Sequence, residues 1–215
     1  MRHSFWGVLV ASVGILGAAG LPSHAVEAAA VIAPDRTSIV VRTYTQPASA
    51  GDIRTARRTA SAILGRAGIQ VVWLECALPV ETDTAAAACR QPLQWNELVV
   101  RILSAGTVDG RPDVDTLGFA FVDLAAGGGS LATVYADRVW AMAQGAGIDA
   151  AELLGRAMAH EVGHLLLGTN RHAPYGLMRG IWSSADLRRS RATQWLFGGQ
   201  EGEVMRKGVA GRFRS

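Results

Sequence analysis

The five residues His160-Glu161-Val162-Gly163-His164 are the feature that most constrains this chain. On a helix, residues four apart lie on the same face, so His160 and His164 could bind one metal ion through neighbouring imidazoles. Glu161 is rotated by about 100° from His160, which keeps its carboxylate out of the ligand set but close to a metal-bound water. The pattern therefore predicts a helix with two metal ligands and with Glu161 as the catalytic general base, which later returns the proton as an acid.

The distribution of histidines supports a metal site. The chain has five histidines, of which His3 and His24 lie in the first 25 residues. The other three, His160, His164 and His172, lie within a stretch of 13 residues. Histidines that only pack in a core or lie on a surface would be scattered, whereas the ligands of one ion would cluster in this way.

The third metal ligand is less obvious than the first two. A catalytic zinc ion takes three protein ligands and keeps a fourth position open. The side chains of ligand type downstream of the motif are His172, Asp186, Glu201 and Glu203. The two glutamates lie in the stretch GGQEGE, which is not typical of a helix interior. His172 follows the helix-ending Gly168, which lets the chain turn back. We predict His172 as the third Zn²⁺ ligand and keep Glu201 and Glu203 as alternatives.

The sequence around the motif predicts a mixed α/β (α+β) domain, with one twisted sheet and the motif helix packed beneath it. The motif helix is predicted over 150–167, because Asp149 and Glu152 form a capping box before it and Gly168 can end it. Strands are predicted over 38–45, 69–74, 97–103, 117–124 and 131–135, and further helices over 51–67 and roughly 184–196. The last two strands are expected to pair antiparallel across a glycine-rich turn.

The two cysteines, Cys76 and Cys89, predict one disulfide, because an even number of cysteines in an exported chain is typical of pairing. The bridge would close a loop of about 14 residues and contribute roughly 3 kcal/mol. The intervening LPVETDTAAAA is expected to be a surface loop. The alternative is a pair of free, buried thiols.

The first 25 residues are typical of a secretory signal peptide. Arg2 provides a basic start, an apolar run extends over 5–21, and Ser23-His24-Ala25 offers small residues at both positions read for cleavage. The alternative is an uncleaved membrane anchor, for which the run is at the short limit. The signal predicts an exported protein, either periplasmic or extracellular.

The rest of the chain divides into three predicted parts. Residues 26–36 are expected to be irregular, 37–200 to form the catalytic domain, and 201–215 to be a solvated basic tail. Without Arg2, 20 basic residues remain against 18 acidic ones, a balance of +2. This balance favours neither a nucleic acid nor, after cleavage of the signal, a membrane as partner. The composition indicates no particular oligomeric state.

The stretch AHEVGHLLLGTNRHAPYGLM, residues 159–178, resembles the zincin metallopeptidases, and among them the metzincins. Their pattern is HExxHxxGxxH, followed by a methionine in a tight turn under the zinc. The stretch is also similar to small secreted bacterial proteins that share HExxHLLLG, a later histidine and GxM. Metzincins place the glycine three residues and the third ligand six residues after the second histidine. Here Gly168 follows His164 by four residues and His172 follows it by eight.

The resemblance implies a zinc-dependent metallopeptidase, of the endopeptidase type, that acts on a peptide or protein substrate. It implies that Met178 is the turn methionine and makes Tyr175 a candidate for supporting the transition state. It also implies an edge strand that aligns the substrate backbone, for which 131–135 is the candidate. Over 38–158 the resemblance extends only to the order of the elements.

Two other functions agree with the same sequence. The first is a non-catalytic zinc-binding or interaction module on the same fold. The second is a structural exported protein stapled by Cys76–Cys89, in which the histidines only pack. Metal content separates the second from the first, and turnover of peptides separates both from a peptidase.

Overall fold

Five strands form one mixed sheet in the computed structural model of the chain, which describes residues 37–45, 50–77, 84–104, 116–189 and 192–212. The elements in chain order are β1 (Ser38–Thr45), α1 (Ala50–Arg66), β2 (Gln70–Ala77), α2 (Thr84–Arg90), β3 (Glu97–Leu103), β4 (Gly118–Asp123), β5 (Gly128–Tyr135), α3 (Ala136–Ala146), α4 (Ala150–Leu167), α5 (Ser184–Arg188), a 3₁₀ turn (Ala192–Trp195) and α6 (Gly199–Arg212). The predicted mixed α/β class is confirmed. The predicted signal peptide, 1–25, and the segment 26–36 lie outside the described residues.

The strand order is β2-β1-β3-β5-β4. β1 is parallel to β2 and β3, and β3 is parallel to β5. β4 pairs antiparallel with β5, as predicted, and forms an edge of the sheet. Side chains alternate between the two faces of a strand, and helices α1, α3 and α4 pack on one face. The buried strand residues on that face are Ile39, Val41, Leu98, Val100, Ile102, Ala132 and Val134.

Helix α4 lies at the centre of the helical layer, where it packs against α1, α3, α6 and the strands β4 and β5. Its contact with α1 is close because residue 155 is glycine. A Cβ atom at Gly155 would lie 2.6 Å from the Cβ of Thr59 and would also meet the carbonyl oxygen of Ala56. Among the described helices, none is long and apolar enough to cross a membrane.

The disulfide between Cys76 and Cys89 is present, with a Cα–Cα distance of 5.8 Å, so the predicted pairing is confirmed. The intervening stretch is not a loop throughout, since it contains helix α2. Arg42 on β1 holds the far side of this helix, because its guanidinium forms a buried ion pair with Glu97 and donates to the carbonyl of Gln91 at 2.7 Å. The bridge therefore joins the end of β2 to a short helix whose exit is pinned to the sheet.

The C-terminal stretch differs from the prediction of a solvated basic tail, which was wrong for 201–212. These residues belong to α6, whose Met205 and Val209 are buried against the rest of the domain. Gly208 allows the close approach, because a Cβ there would lie 2.5 Å from a backbone carbonyl of α4. The basic residues are used as well, since Arg212 donates to backbone carbonyls of β5 and α4.

Two other predictions differ from the structure. Helix α3 was not predicted. It begins directly after β5, with Tyr135 as its N-cap and no side-chain hydrogen bond at the cap, so the usual starting signal is missing. The helix predicted roughly over 184–196 is interrupted. The capping box of Ser183 and Asp186 starts α5, which ends at Arg188, and a separate 3₁₀ turn follows at Ala192–Trp195.

Candidate functional site

Helix α4 has the predicted bounds and a defined signal at each end. The side chain of Asp149 accepts a hydrogen bond from the backbone N–H of Glu152 at 2.7 Å. Gly168 follows the last turn with a φ of 66°, and its N–H donates to the carbonyl of His164. Because the helix is regular between these caps, His160 and His164 lie one turn apart on the same face.

The three histidines of the motif region converge on one point. The Nε2 atom of His164 lies 3.0 Å from Nε2 of His160 and 3.3 Å from Nε2 of His172. Zinc–nitrogen bonds of about 2.0–2.1 Å in a tetrahedral site place two ligand nitrogens about 3.3 Å apart. Ligand atoms of all three residues lie within 4.8 Å of one another. The cluster is compatible with Zn²⁺, with His172 in the third position.

Backbone carbonyls orient the two helical histidines. Nδ1 of His160 lies 2.9 Å from the carbonyl of Leu177, and Nδ1 of His164 lies 2.7 Å from the carbonyl of Thr169. A carbonyl only accepts, so each Nδ1 carries the proton and each Nε2 directs its lone pair toward the cluster. This is the tautomer that a metal ion requires.

Burial keeps both helical imidazoles neutral. The pKa of His160 is lowered to about 3, mainly by burial and in smaller part by the neighbouring His164. Burial also lowers the pKa of His164. A neutral imidazole binds a metal ion without first losing a proton, so the donor set fits a cation.

The loop after α4 brings His172 back over the helix. Gly168 reverses the chain, and the N–H of Arg171 donates to the hydroxyl of Thr169 at 3.1 Å within the turn. The ring of His172 stacks on that of His160, with centroids 5.3 Å apart. Gly180 makes room for it, because a Cβ at that position would lie 3.0 Å from both Cγ and Nδ1 of His172. The loop is therefore shaped around the ring, which is itself exposed.

The structure places Met178 beneath α4. Its side chain is buried, and a Cβ at Gly163 would lie 2.8 Å from its sulfur. Gly163 lies between the two helical histidines along the chain, so the methionine packs under the middle of the motif. The backbone carbonyl of Met178 accepts a hydrogen bond from the N–H of Ala173 at 2.8 Å, which closes the segment that carries His172.

Glu161 is buried on the same side of α4 as the histidines, in a cleft of about 910 Å³. Its carboxylate lies against the first residue of β4, since a Cβ at Gly118 would be 2.9 Å from Oε1. Within the described part of the chain, no group hydrogen-bonds to Oε2. Burial raises the pKa of Glu161 to about 8, and a cation bound by the histidines would act in the opposite direction.

The walls of the cleft come from five parts of the fold: the start of β4 with the segment before it, one face of α3, the motif face of α4, the loop that carries His172, and the segment 179–182. Small and apolar side chains line much of it, including Ala141, Met142 and Ala157. The metal cluster and Glu161 therefore open onto a channel bounded on one side by a strand edge.

Several sequence predictions are not brought to this cleft. Glu201 accepts a hydrogen bond from the N–H of Gly198 at 2.7 Å, and Glu203 pairs with Lys207 at 2.7 Å. Neither glutamate belongs to the metal cluster. Tyr175 is 75% exposed and lines a separate cavity beside Phe197, so the structure does not place it at the cleft.

The prediction that 131–135 is the edge strand was wrong. These residues form part of β5, which lies between β3 and β4. The strand at the edge is β4, and its residues Gly118, Phe119 and Ala120 line the cleft. The order of strands in space depends on pairing between distant segments, which the chain order does not specify.

Sequence reasoning also missed Trp182, which supports the cluster. Its ring meets that of His160 edge to face, with centroids 5.5 Å apart, and its Nε1 donates to the carbonyl of Arg179 at 3.0 Å. A second tryptophan, Trp195, packs against Trp182, with ring centroids 5.0 Å apart. Its position in the sequence could have indicated this role, because Trp182 is a large aromatic residue only four places after Met178, the predicted turn methionine.

No family model matches this sequence, and no curated protein matches it. Among solved structures, the chain is similar to a zinc-dependent peptidase from Methanocorpusculum labreanum, with a TM-score of 0.49 and 16% identity, over 77% of this chain and 99% of that chain. It is also similar to an archaemetzincin from Methanopyrus kandleri, with a TM-score of 0.47 and 16% identity, over 80% of this chain and 96% of that chain. Both similarities are distant, with an identity of 16% in each case.

Proposed function

We propose that this protein is an exported zinc-dependent peptidase that cleaves peptide bonds within a peptide or protein chain. The observation that carries the proposal is the convergence of three imidazole Nε2 atoms in a cleft that also holds a buried carboxylate, Glu161. His160, His164 and His172 would hold the ion and leave a fourth position for water or substrate. A structural zinc site would instead close the fourth position with a protein ligand.

Glu161 is the residue that moves the proton. When bound, zinc lowers the pKa of a coordinated water and polarises the substrate carbonyl. Glu161 accepts the proton of the attacking water on a carboxylate oxygen and then donates it to the amine that leaves. Its burial supports this role, because a carboxyl group with a raised pKa holds a proton more readily than an exposed one.

Strand β4 is suited to align the substrate. It begins at Gly118, beside the Glu161 carboxylate, and continues to Asp123. An extended peptide that pairs with its outer edge would pass the carboxylate and continue along the strand, as in binding by strand addition. Such a run of backbone contacts along an extended chain favours cleavage within a chain, which supports the endopeptidase assignment.

The disulfide supports export. Disulfide bonds such as Cys76–Cys89 are typical of proteins that leave the reducing cytosol. The N-terminal pattern of the sequence points in the same direction. Detection of the mature chain, with its new N-terminus, in the exported fraction tests this part of the proposal.

The test of catalysis compares the wild-type protein with Glu161→Gln. We expect both to bind about one zinc ion per chain, because Glu161 is not a ligand. The wild-type protein should cleave members of a peptide library, and the variant should lose at least about 10²–10⁴-fold in rate with the loss of its general base. Mass spectrometry of the products and metal analysis of the purified proteins are the two measurements.

The outcomes separate the remaining functions. If both proteins bind zinc and leave every peptide intact, the protein is a non-catalytic zinc module and the peptidase proposal fails. If neither binds zinc, the histidines only pack and the protein is structural. If Glu161→Gln cleaves as fast as the wild-type protein, the role given to Glu161 is wrong.

A further inference from the structure

Strand β4 has two unlike faces. Gly118, Ala120 and Val122 point to the helical side, where Ala120 and Val122 pack against the core. Phe119 and Phe121 point to the opposite side of the sheet, with ring centroids 4.9 Å apart in an edge-to-face arrangement. Small side chains thus face Glu161, and aromatic side chains face away from it.

The aromatic pair is exposed at a strand edge. Phe121 is 54% exposed, although a phenylalanine on an ordinary strand would be covered by the fold. In the described part of the chain, no strand pairs with the outer edge of β4. The exposed rings therefore lie next to a strand edge that no described strand covers.

The pair is continuous with the candidate active site. Phe119 lines the cleft that holds Glu161, and it also contacts Phe121 and, at 6.1 Å between ring centroids, Tyr135. A peptide that leaves the cleft along the edge of β4 would lie beside these rings. Continuity with the cleft makes an extended peptide the best occupant of the surface.

We propose that Phe119 and Phe121 form a specificity surface that selects an aromatic or large apolar side chain of the substrate peptide. The proposal rests on the function given above. In a strand added to β4, side chains opposite Phe119 and Phe121 lie on the same face as these rings, about 4.5–5.5 Å away between Cβ atoms. The intervening side chains point to the helical side, where the cleft is. The selected residues therefore alternate along the substrate with a period of two.

The test moves a single phenylalanine stepwise along a short, otherwise uniform alanine and serine peptide. For the zinc-loaded wild-type protein we expect kcat/KM to rise about two- to tenfold at every second position on one side of the cleaved bond. Phe121→Ala should reduce this preference to near one at the substrate position opposite residue 121. Val72→Ala is the matched control, because Val72 is an exposed apolar residue on β2, the opposite edge of the sheet, and it should retain the preference.

A binding measurement keeps this test independent of catalysis. In the zinc-loaded Glu161→Gln protein, calorimetry compares the affinities of the best phenylalanine peptide and its all-alanine counterpart. If the wild-type protein cleaves none of the peptides, the cleavage rates cannot identify the best phenylalanine peptide. In that case, every peptide of the series is titrated into the Glu161→Gln protein. We expect the same two- to tenfold ratio, lost when Phe121→Ala is added. If no library peptide is cleaved but this ratio appears and is lost, the peptidase function fails and the specificity surface stands.

Three results would overturn the specificity surface. The first is cleavage with no alternating preference, and the second is a preference opposite residue 121 that survives Phe121→Ala. The third is the absence of any difference in affinity between the two peptides. Sedimentation covers the alternative occupant, a second copy of the chain: if Phe121→Ala converts a dimer into a monomer, the rings form an interface between copies.

Discussion

Nε2 of His172 lies 3.3 Å from Nε2 of His164, although His172 follows His164 by eight positions along the chain. The metzincin pattern, which the motif resembles, uses a separation of six. Helix α4 continues to Leu167 before Gly168 reverses the chain, so the first extra residue lengthens the helix. The second lies in the return loop. The longer spacing therefore still delivers the imidazole to the cluster.

We expect His172→Ala to lower zinc affinity by more than the roughly 10–100-fold that loss of an outer-shell partner costs, because it removes one of three direct ligands. Competition with a chromogenic chelator measures this affinity. Tyr175→Phe serves as the control, since Tyr175 is 75% exposed and outside the cleft. Equal affinities of His172→Ala and the wild-type protein would remove His172 from the ligand set.

Gly180 should affect zinc affinity, because it makes room for the ring of His172. A methyl group at this position would lie 3.0 Å from Cγ and Nδ1 of His172, so the ring must shift. We expect Gly180→Ala to lower zinc affinity by about tenfold. The free energy of unfolding of the zinc-free variant should stay within about 0.5 kcal/mol of that of the wild-type protein. Gly199→Ala, where a Cβ meets nothing within 4 Å, should change neither quantity noticeably. Unaltered zinc affinity in Gly180→Ala would show that the ring is not held by this contact.

The zinc-free protein should show a pH dependence that comes from Glu161. Burial raises its pKa from 4.5 to about 8, so the folded state holds a proton that the unfolded state releases. The contribution of Glu161 to the free energy of unfolding is fully present below about pH 4.5 and is lost as the pH rises to about 8. The free energy of unfolding of the wild-type protein should therefore fall, relative to Glu161→Gln, across this range. Urea unfolding of both proteins at several pH values is the measurement.

His160 acts in the opposite direction on the same curve. Burial lowers its pKa from 6.5 to about 3, so its contribution to stability is lost as the pH falls below 6.5. Because both proteins contain His160, the difference between them isolates Glu161. Zinc should flatten this difference, since a nearby positive charge favours the ionised carboxylate. A difference that does not vary with pH in the zinc-free proteins would contradict the burial of a protonated Glu161.

The crossing of α1 and α4 should be sensitive to a single methyl group. Gly155→Ala would place its Cβ 2.6 Å from the Cβ of Thr59, and we expect this overpacking to lower the free energy of unfolding by about 1–3 kcal/mol. Gly145→Ala in α3 is the matched change, because a Cβ there meets nothing within 4 Å. It should instead stabilise the protein by about 0.5–1 kcal/mol, since alanine favours a helix. Equal effects of the two substitutions in thermal or urea unfolding would show that the crossing tolerates the methyl group.

Local signals in the sequence predicted much of the fold. The bounds of α4 followed from Asp149 and Gly168, because caps act over one turn of helix. Strands β1 and β3 were predicted with their observed bounds, since β-branched residues continue through each of them. The three histidines followed from chemical type alone, as no other histidine lies near the motif.

What the sequence did not predict depends on contacts between distant segments. The edge position of β4 follows from the pairing of β5 with β3, and no local signal specifies that pairing. Helix α6 was not expected because its glycines weaken a helix in isolation. In the fold, Gly208 instead allows the backbone of α6 to lie close to that of α4. The role of Trp182 depends on the return of the loop after Met178 to the face of α4.

The close approach of Gly168 to Gly127 has a consequence for engineering. A Cβ at Gly168 would meet the backbone of Gly127 in the turn between β4 and β5, so two main chains touch there with no side chain between them. The β4–β5 hairpin, which would bind a substrate, and the loop that carries His172 are thus in direct backbone contact at these two glycines. A designer who lengthens or stiffens that turn would adjust the metal loop at the same time, and could tune metal affinity from a place where neither metal nor substrate binds.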